Sequence, residues 1–169
     1  MSPIGGHDID VRRPEMRFAA VARAVILDGD HVLLARYLDN ANTFLPGGHI
    51  RIGEAVQSGL AREIQEELDL TASVGDYLGA IESWWTDDIG YFGVKGRATH
   101  QIDHYFLTAV AGLSASAVPT SSESHLRFIW AKIGALGTYT LLPESLQQLI
   151  PRYVAGDHRP WWRVHSDLT

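Results

Sequence analysis

The stretch GGHIRIGEAVQSGLAREIQEELDL, residues 47–70, gathers the residue types best able to do chemistry. Read as a helix at roughly 100° per residue, it places Glu63, Glu66 and Glu67 on one arc about 100° wide, with Arg62 on the far side one turn from Glu66. That arc borders an apolar stripe of Val56, Leu60, Ile64 and Leu68, so the carboxylates crowd the edge of the buried face. Such crowding is unfavourable by itself: like charges at i,i+4 cost about 0.2–0.5 kcal/mol, and acids in the second half of a helix oppose its dipole. A hard divalent cation reverses the sign, because Mg²⁺ takes oxygen ligands and is commonly shared between a few carboxylates and substrate phosphates. For EIQEEL alone, a solvated acidic face is the competing reading.

The residues upstream decide between the two. Gly48, Glu54, Arg62, Glu63, Ile64, Glu66, Glu67 and Leu70 stand at the spacing G-x5-E-x7-R-E-U-x-E-E-x-G-U, where U is aliphatic. This pattern resembles the Nudix box, and the lead-in Phe44-Leu45-Pro46-Gly47-Gly48 is similar to that of the family as well. A chance match at the charged and glycine positions is on the order of 10⁻⁷ per window at ordinary residue frequencies. Asp69 stands where the family usually has glycine. Glycine there would favour a left-handed helix cap, and Asp tolerates that conformation better than most residues, so a local adjustment is expected.

The resemblance implies an α/β fold, an α/β/α sandwich with a mixed sheet, and hydrolysis of a nucleoside diphosphate linked to another group by attack of water at phosphorus. It implies Mg²⁺, with Mn²⁺ as substitute, held by Glu63, Glu66 and Glu67 and completed by the Gly48 carbonyl, while Glu54 supports the loop or an additional metal. Arg62 would orient the glutamates through charge-assisted hydrogen bonds. The proton acceptor is either Glu63, inside the box, or Glu123, on a distant loop; the bland reading of Glu123 is an exposed loop acid. Arg36 and His49 are placed near the substrate, and Lys95 and Arg97 could close over an anion. The second hypothesis is a Nudix-fold module that senses a nucleotide without cleaving it; such modules usually have eroded glutamates, whereas all are present here. A third, a structural Ca²⁺ or Mg²⁺ site outside this family, leaves Gly48, Glu54 and Arg62 unexplained. A nucleoside triphosphate, a nucleotide sugar and a dinucleoside polyphosphate all stay open as substrates. Trp85 and Thr86 occupy the region where ADP-ribose enzymes often carry a proline, and the coenzyme A signature is absent.

The elements that must position these groups follow from pattern. Residues 17–36 read as a hairpin, FAAVARAVIL and HVLLAR about an Asp28-Gly29-Asp30 turn. Residues 40–53 read as loop, and Glu54 to Leu70 as helix. Gly59 within it suggests close approach of another backbone. TASVGDYLGAIESWW, residues 101–110 and residues 125–130 read as strands, with long loops at 86–99 and 112–124. Pro143 to Ile150 is expected to be a short helix ended by Pro151, followed by a tail with Trp161 and Trp162. Residues 1–15 are expected to form a mobile arm and 16–169 a single domain.

Composition bounds the rest. The 169 residues suit one domain; 46% are hydrophobic, 20% charged, and none is cysteine, which excludes disulfides and thiolate metal sites. A net charge of −6 argues against bulk nucleic-acid binding, while a polyphosphate neutralised by metal remains compatible. No apolar run nears the ~20 residues of a membrane span, and the N-terminus lacks a signal-peptide core, so the expected setting is cytoplasmic. His100 and His104 share a strand face about 13 Å apart, too far for one zinc ion, and His125 follows later. Trp84, Trp85, Trp161 and Trp162 are read as packing residues before stacking ones, and the tryptophan-bearing tail leaves a homodimer open.

Overall fold

The computed structural model describes residues 16–87 and 95–166. The mobile arm expected at 1–15 and the middle of the 86–99 loop lie outside the described residues.

The order is β1 (Met16–Val25), β2 (Leu27–Asp28), β3 (His31–Tyr37), β4 (Asn42–Phe44), α1 (Val56–Leu68), β5 (Ala72–Asp87), β6 (Arg97–Val110), β7 (Leu126–Lys132), a 3-10 turn (Ile133–Thr138), β8 (Thr140–Leu141), α2 (Leu146–Val154) and β9 (Trp161–Ser166). One sheet runs β1-β6-β5-β9; the other runs β2-β3-β4-β8, with β7 on β3. Parallel pairing of β1 with β6 and of β5 with β9 beside antiparallel β5–β6 makes the first sheet mixed.

The chain has an α/β fold, with a helix packed against each of two apolar clusters. Leu60, Ile64 and Leu68 of α1 pack on Ala22, Ala24, Leu33 and Phe106. Leu146, Leu149 and Ile150 of α2 pack with Val25, Val32, Ile81, Tyr105 and Trp161. Val56 is only partly buried, so the expected stripe sits on α1 with Leu60, Ile64 and Leu68 buried and its first member at the edge of the cluster.

Several expectations need correction. The expected hairpin does not form across its length: β1 leaves for β6 in the other sheet, and only Leu27–Asp28 pair with β3 around the Gly29 turn. Pattern marks two strands and a turn but not their partners, because β1 is apolar enough to be covered on both faces. Residues 40–53 contain β4, and residues 46–50 run along the free edge of β1, through Ala24 N–H to Pro46 O (2.8 Å), Ala22 N–H to Gly48 O (2.9 Å) and Ile50 N–H to Ala20 O (2.9 Å). The helix starts at Val56, since Glu54 still belongs to the loop. Side chains, not another backbone, crowd Gly59: a Cβ there would lie 2.7 Å from Ile50 Cδ1 and 2.9 Å from Glu54 Oε2. The strands β5 and β6 reach into both ends of the expected 86–99 loop. Pro151 lies inside α2, which continues to Val154, and the expected tail contains β9, with Trp161 buried and Trp162 57% exposed. Among the described residues no helix is long and apolar enough to cross a membrane.

Candidate active site

Arg62 is the hub of the carboxylates. Its Nε and Nη2 donate to the two oxygens of Glu54 at 2.8 and 3.0 Å, and Nη1 donates to Glu63 at 2.6 Å and Glu66 at 2.9 Å. Nη2 also donates to the His49 carbonyl at 3.0 Å, tying the box helix to the strand-like lead-in. These bonds raise the basicity of Arg62 further, the Glu54 bond contributing most. They also hold the Glu54 carboxyl at about 2, with help from the Arg51 backbone N–H. Glu66, on the outer side, also meets Arg51 at 3.3 Å.

Glu67 points the other way. It is 5% exposed and accepts the Gly47 N–H at 3.1 Å. Burial pushes its carboxyl up to about 8; Arg23 and the Gly47 bond oppose that rise, while Glu63 and Glu123 add to it. The Gly47-Gly48 turn brings the chain within reach of both carboxylates. Gly47 has φ +119°, and a Cβ there would strike the Ala22 carbonyl; a Cβ on Gly48 would strike the Glu63 carboxylate. The Gly48 carbonyl accepts from Ala22 N–H, and a carbonyl has a second lone pair. At the far end of α1, Asp69 adopts φ 54°, the left-handed cap, with its N–H on the Gln65 carbonyl.

The loop before β7 is fastened to the same helix. Ser122 N–H donates to the Glu67 carbonyl at 2.8 Å and Ser121 Oγ at 3.3 Å, so Glu123 is held within electrostatic reach of the Glu67 carboxyl. Glu123 is 37% exposed and pairs with His125 at 3.3 Å. The distant loop acid is thus brought to the box, 56 residues after Glu67 in the chain.

The other expected residues are spread more widely. His49 lies on the opposite side of the lead-in; its Nε2 meets Arg17 Nη2 at 2.7 Å, and partial burial and the Arg17 charge lower its pKa. Since Arg17 must donate, Nε2 accepts. Arg36 is exposed near the end of β3, opposite Thr43 and Arg127 in the ladders, and no hydrogen bond or ion pair joins it to the carboxylates. Lys95 is exposed, and Arg97 begins β6. His100 is bound to Glu82 at 2.7 Å and touches Trp84, whereas His104 is bound to Tyr77.

Sequence reading missed Arg23 and the row it joins. Along β6, Thr99, Gln101, Asp103 and Tyr105 alternate inward and are all buried. Gln101 donates to Asp103 at 2.8 Å, and Arg23 Nε donates to the other Asp103 oxygen at 3.2 Å. Arg23 Nη1 then reaches the carbonyls of Leu45 (3.2 Å) and Gly47 (2.7 Å), and its guanidinium lies 5.2 Å from the Phe44 ring centre. Burial works against the charge of Arg23, but the surrounding Asp103 and Glu67 raise its basicity overall. The available signal was an arginine inside the apolar run FAAVARAVIL and a period-2 polar row on a strand.

The donor chemistry fits a hard divalent cation: several carboxylates of one helix, one of them buried against its own charge, and a backbone carbonyl beside them. Among the described residues, no three His, Cys, Asp or Glu side chains already converge at metal-holding distance. Arg62 occupies Glu63 and Glu66, and the Gly47 N–H occupies Glu67.

The family model for the NUDIX domain matches residues 17–153. A curated relative, a putative mutator protein MutT4 of Mycobacterium tuberculosis, is 35% identical over 68 residues, 40% of this chain and 25% of that protein, so the chain spans a quarter of its length. Among solved structures, the MutT protein of Methanosarcina mazei Go1 has a TM-score of 0.58 at 23% identity, covering 86% of this chain and 99% of that one. An ADP-ribose pyrophosphatase from Streptococcus suis has a TM-score of 0.59 at 15% identity, covering 86% and 98%.

Proposed function

Because this chain belongs to the Nudix family, we propose that it is a divalent-metal-dependent pyrophosphohydrolase that acts in the cytoplasm on a nucleoside diphosphate linked to a further group. The observation that carries this reading is the buried Glu67 carboxyl, placed beside Glu63 and Glu123 at the Gly47-Gly48 turn and raised to about 8. A side chain needed only for packing would not be an acid there, since burying a charge without a strong partner is costly. A ligand cation that neutralises it supplies the missing partner.

Glu63, Glu66 and Glu67 would hold Mg²⁺ or Mn²⁺, with the Gly48 carbonyl beside them and Glu54 available for a second ion. When bound, the metal would neutralise phosphate charge and acidify a coordinated water. The chain supplies the rest. Arg62 keeps Glu63 and Glu66 on one face of α1 while Glu54 fixes the guanidinium from the loop side. Two carboxylates can take the proton from the attacking water: Glu63 within the cluster, and Glu123 on the loop fastened to the Glu67 carbonyl. Glu123 has the better access, and His125 beside it can share the charge. Arg36 and His49 are assigned to the substrate: Arg36 as an exposed cation for phosphate, His49 as a neutral ring held by Arg17.

The experiment is a phosphate- and nucleotide-release screen with Mg²⁺ over nucleoside triphosphates, nucleotide sugars and dinucleoside polyphosphates. Turnover of one class that disappears with chelator and returns with Mg²⁺ is the expected result. Tight nucleotide binding by calorimetry without any turnover would replace the enzyme by the sensor-module reading. Within an active enzyme, Glu123→Gln should depress kcat about 10²-fold or more; an unchanged kcat transfers the proton-accepting role to Glu63.

A further inference from the structure

We propose that Arg23, held by Asp103, is a positioning residue for the carboxylate site: it sets the Gly47-Gly48 turn from inside the sheet and thereby fixes where Glu63 and Glu67 stand. The proposal deepens the reading above and rests on it.

The geometry is continuous from one sheet strand to the box. Asp103, 3% exposed in the centre of β6, accepts from Gln101 through one oxygen and from Arg23 through the other. Both carboxylate oxygens are thus used, and the one facing Arg23 holds its Nε. Arg23 then spends Nη1 on the Leu45 and Gly47 carbonyls, two residues apart in the lead-in. The peptide units of Gly47 thus have anchors on both sides: its carbonyl accepts from Arg23, and its N–H donates to Glu67 Oε2. Gly48, next along, is held by Ala22 N–H and pressed against the Glu63 carboxylate. A shift of the Gly47 carbonyl would therefore reach Glu67 through the Gly47 N–H and Glu63 through its close packing at Gly48.

A purely structural role explains this less well. A charged pair buried in a sheet stabilises a fold weakly, and apolar residues of similar size commonly do as well or better. Here the pair joins the neighbouring strands β1 and β6, but its arginine also reaches past them to the carbonyls of Leu45 and Gly47, and its cation stands close enough to Glu67 to lower the cost of that buried acid. Arg23 serves Asp103 from Nε and the two carbonyls from Nη1; lysine could keep the charge but would have to donate from a single nitrogen, without the planar fork that holds these two positions apart.

Three variants separate the readings: Arg23→Lys, Arg23→Met, and the charge-free double variant Arg23→Met/Asp103→Leu. Each is measured for thermal stability, hydrogen-exchange protection of the Gly47 amide, Mn²⁺ affinity by electron paramagnetic resonance, and kcat and KM on whichever substrate the screen identifies. Arg23→Met alone leaves Asp103 uncompensated and is expected to lose stability through that alone. The double variant removes both charges of the pair and is expected to recover most of the Tm that Arg23→Met loses. In it, and in Arg23→Lys, Gly47 protection and Mn²⁺ affinity should fall at least tenfold, and kcat should fall about 10–100-fold with KM within threefold. A double variant that is stable yet keeps wild-type Mn²⁺ affinity and Gly47 protection overturns the proposal and leaves Arg23 a structural residue. If the wild-type protein itself takes up no Mn²⁺ and turns nothing over, the hydrolase reading has failed instead, whatever the variants do.

Discussion

Two arginine–carboxylate networks in this protein are built with opposite arithmetic. At the box, one arginine serves three carboxylates: Arg62 binds Glu54, Glu63 and Glu66, and a fourth acid, Glu67, is buried beside them. After α2, one carboxylate serves two arginines: Asp157 binds Arg152 and Arg159. The second network is a clasp. It ties the end of α2 to the start of the segment leading into β9, and its charges lie at the surface, where water screens them. The first has a surplus of negative charge, is tied to a glycine turn that excludes any Cβ, and includes an acid that burial pushes towards neutrality. The lesson is that a cluster of ion pairs is informative through what it leaves unbalanced. A closed pair explains itself; an excess of buried or half-buried acids asks for a cation.

The contrast breaks most directly at Glu67. Glu67→Gln should lower turnover by about 10² or more while the circular dichroism spectrum and Tm stay close to wild type, because an amide fills the same space without the buried charge. Phosphate release at the wild-type rate would show that the surplus charge has no catalytic use. A smaller effect is expected at Gly48→Ala. The new methyl must displace the Glu63 carboxylate from its place against the turn, so Mg²⁺ dependence should shift to higher concentration, about 10–100-fold, with little change in unfolding temperature. The smallest effect belongs to the clasp. Asp157→Asn should leave kcat within twofold, checked in the same assay, and lower Tm only slightly. Hydrogen bonds from Arg159 and then Arg152 hold Asp157 below its ordinary 3.8. Its contribution is therefore present at neutral pH and is lost as pH falls below that value through the lower folded-state pKa. The Tm difference between variant and wild type should shrink on acidification, and also in high salt.

Much of the site was legible in order along the chain, because the box helix reads itself. Its period is local, so the shared arc of Glu63, Glu66 and Glu67, the neighbouring Arg62 and the apolar stripe follow from spacing within the 13 residues of α1, and the tolerance of Asp69 for the left-handed cap follows from its residue type. Strand partners are not local. An apolar ten-residue strand such as β1 can pair with its sequence neighbour or with a strand eighty residues away, and the pattern inside it is the same for both. The expected hairpin failed for that reason, and the tail with Trp161 and Trp162 was read without a strand because β9 gains its definition by lying along β5.

The amino-acid order by itself determined which side chains gather on one helix and what ion they would suit, since side-chain chemistry and the 3.6-residue turn need nothing from elsewhere. Only the tertiary structure decided that Glu67 turns inward to the Gly47 amide, that Ser121 and Ser122 bring Glu123 to the same place, and that Arg23 reaches the glycine turn from Asp103. Those facts depend on contacts between segments far apart in sequence, whose meeting is fixed by packing across the whole core and by no spacing along the chain.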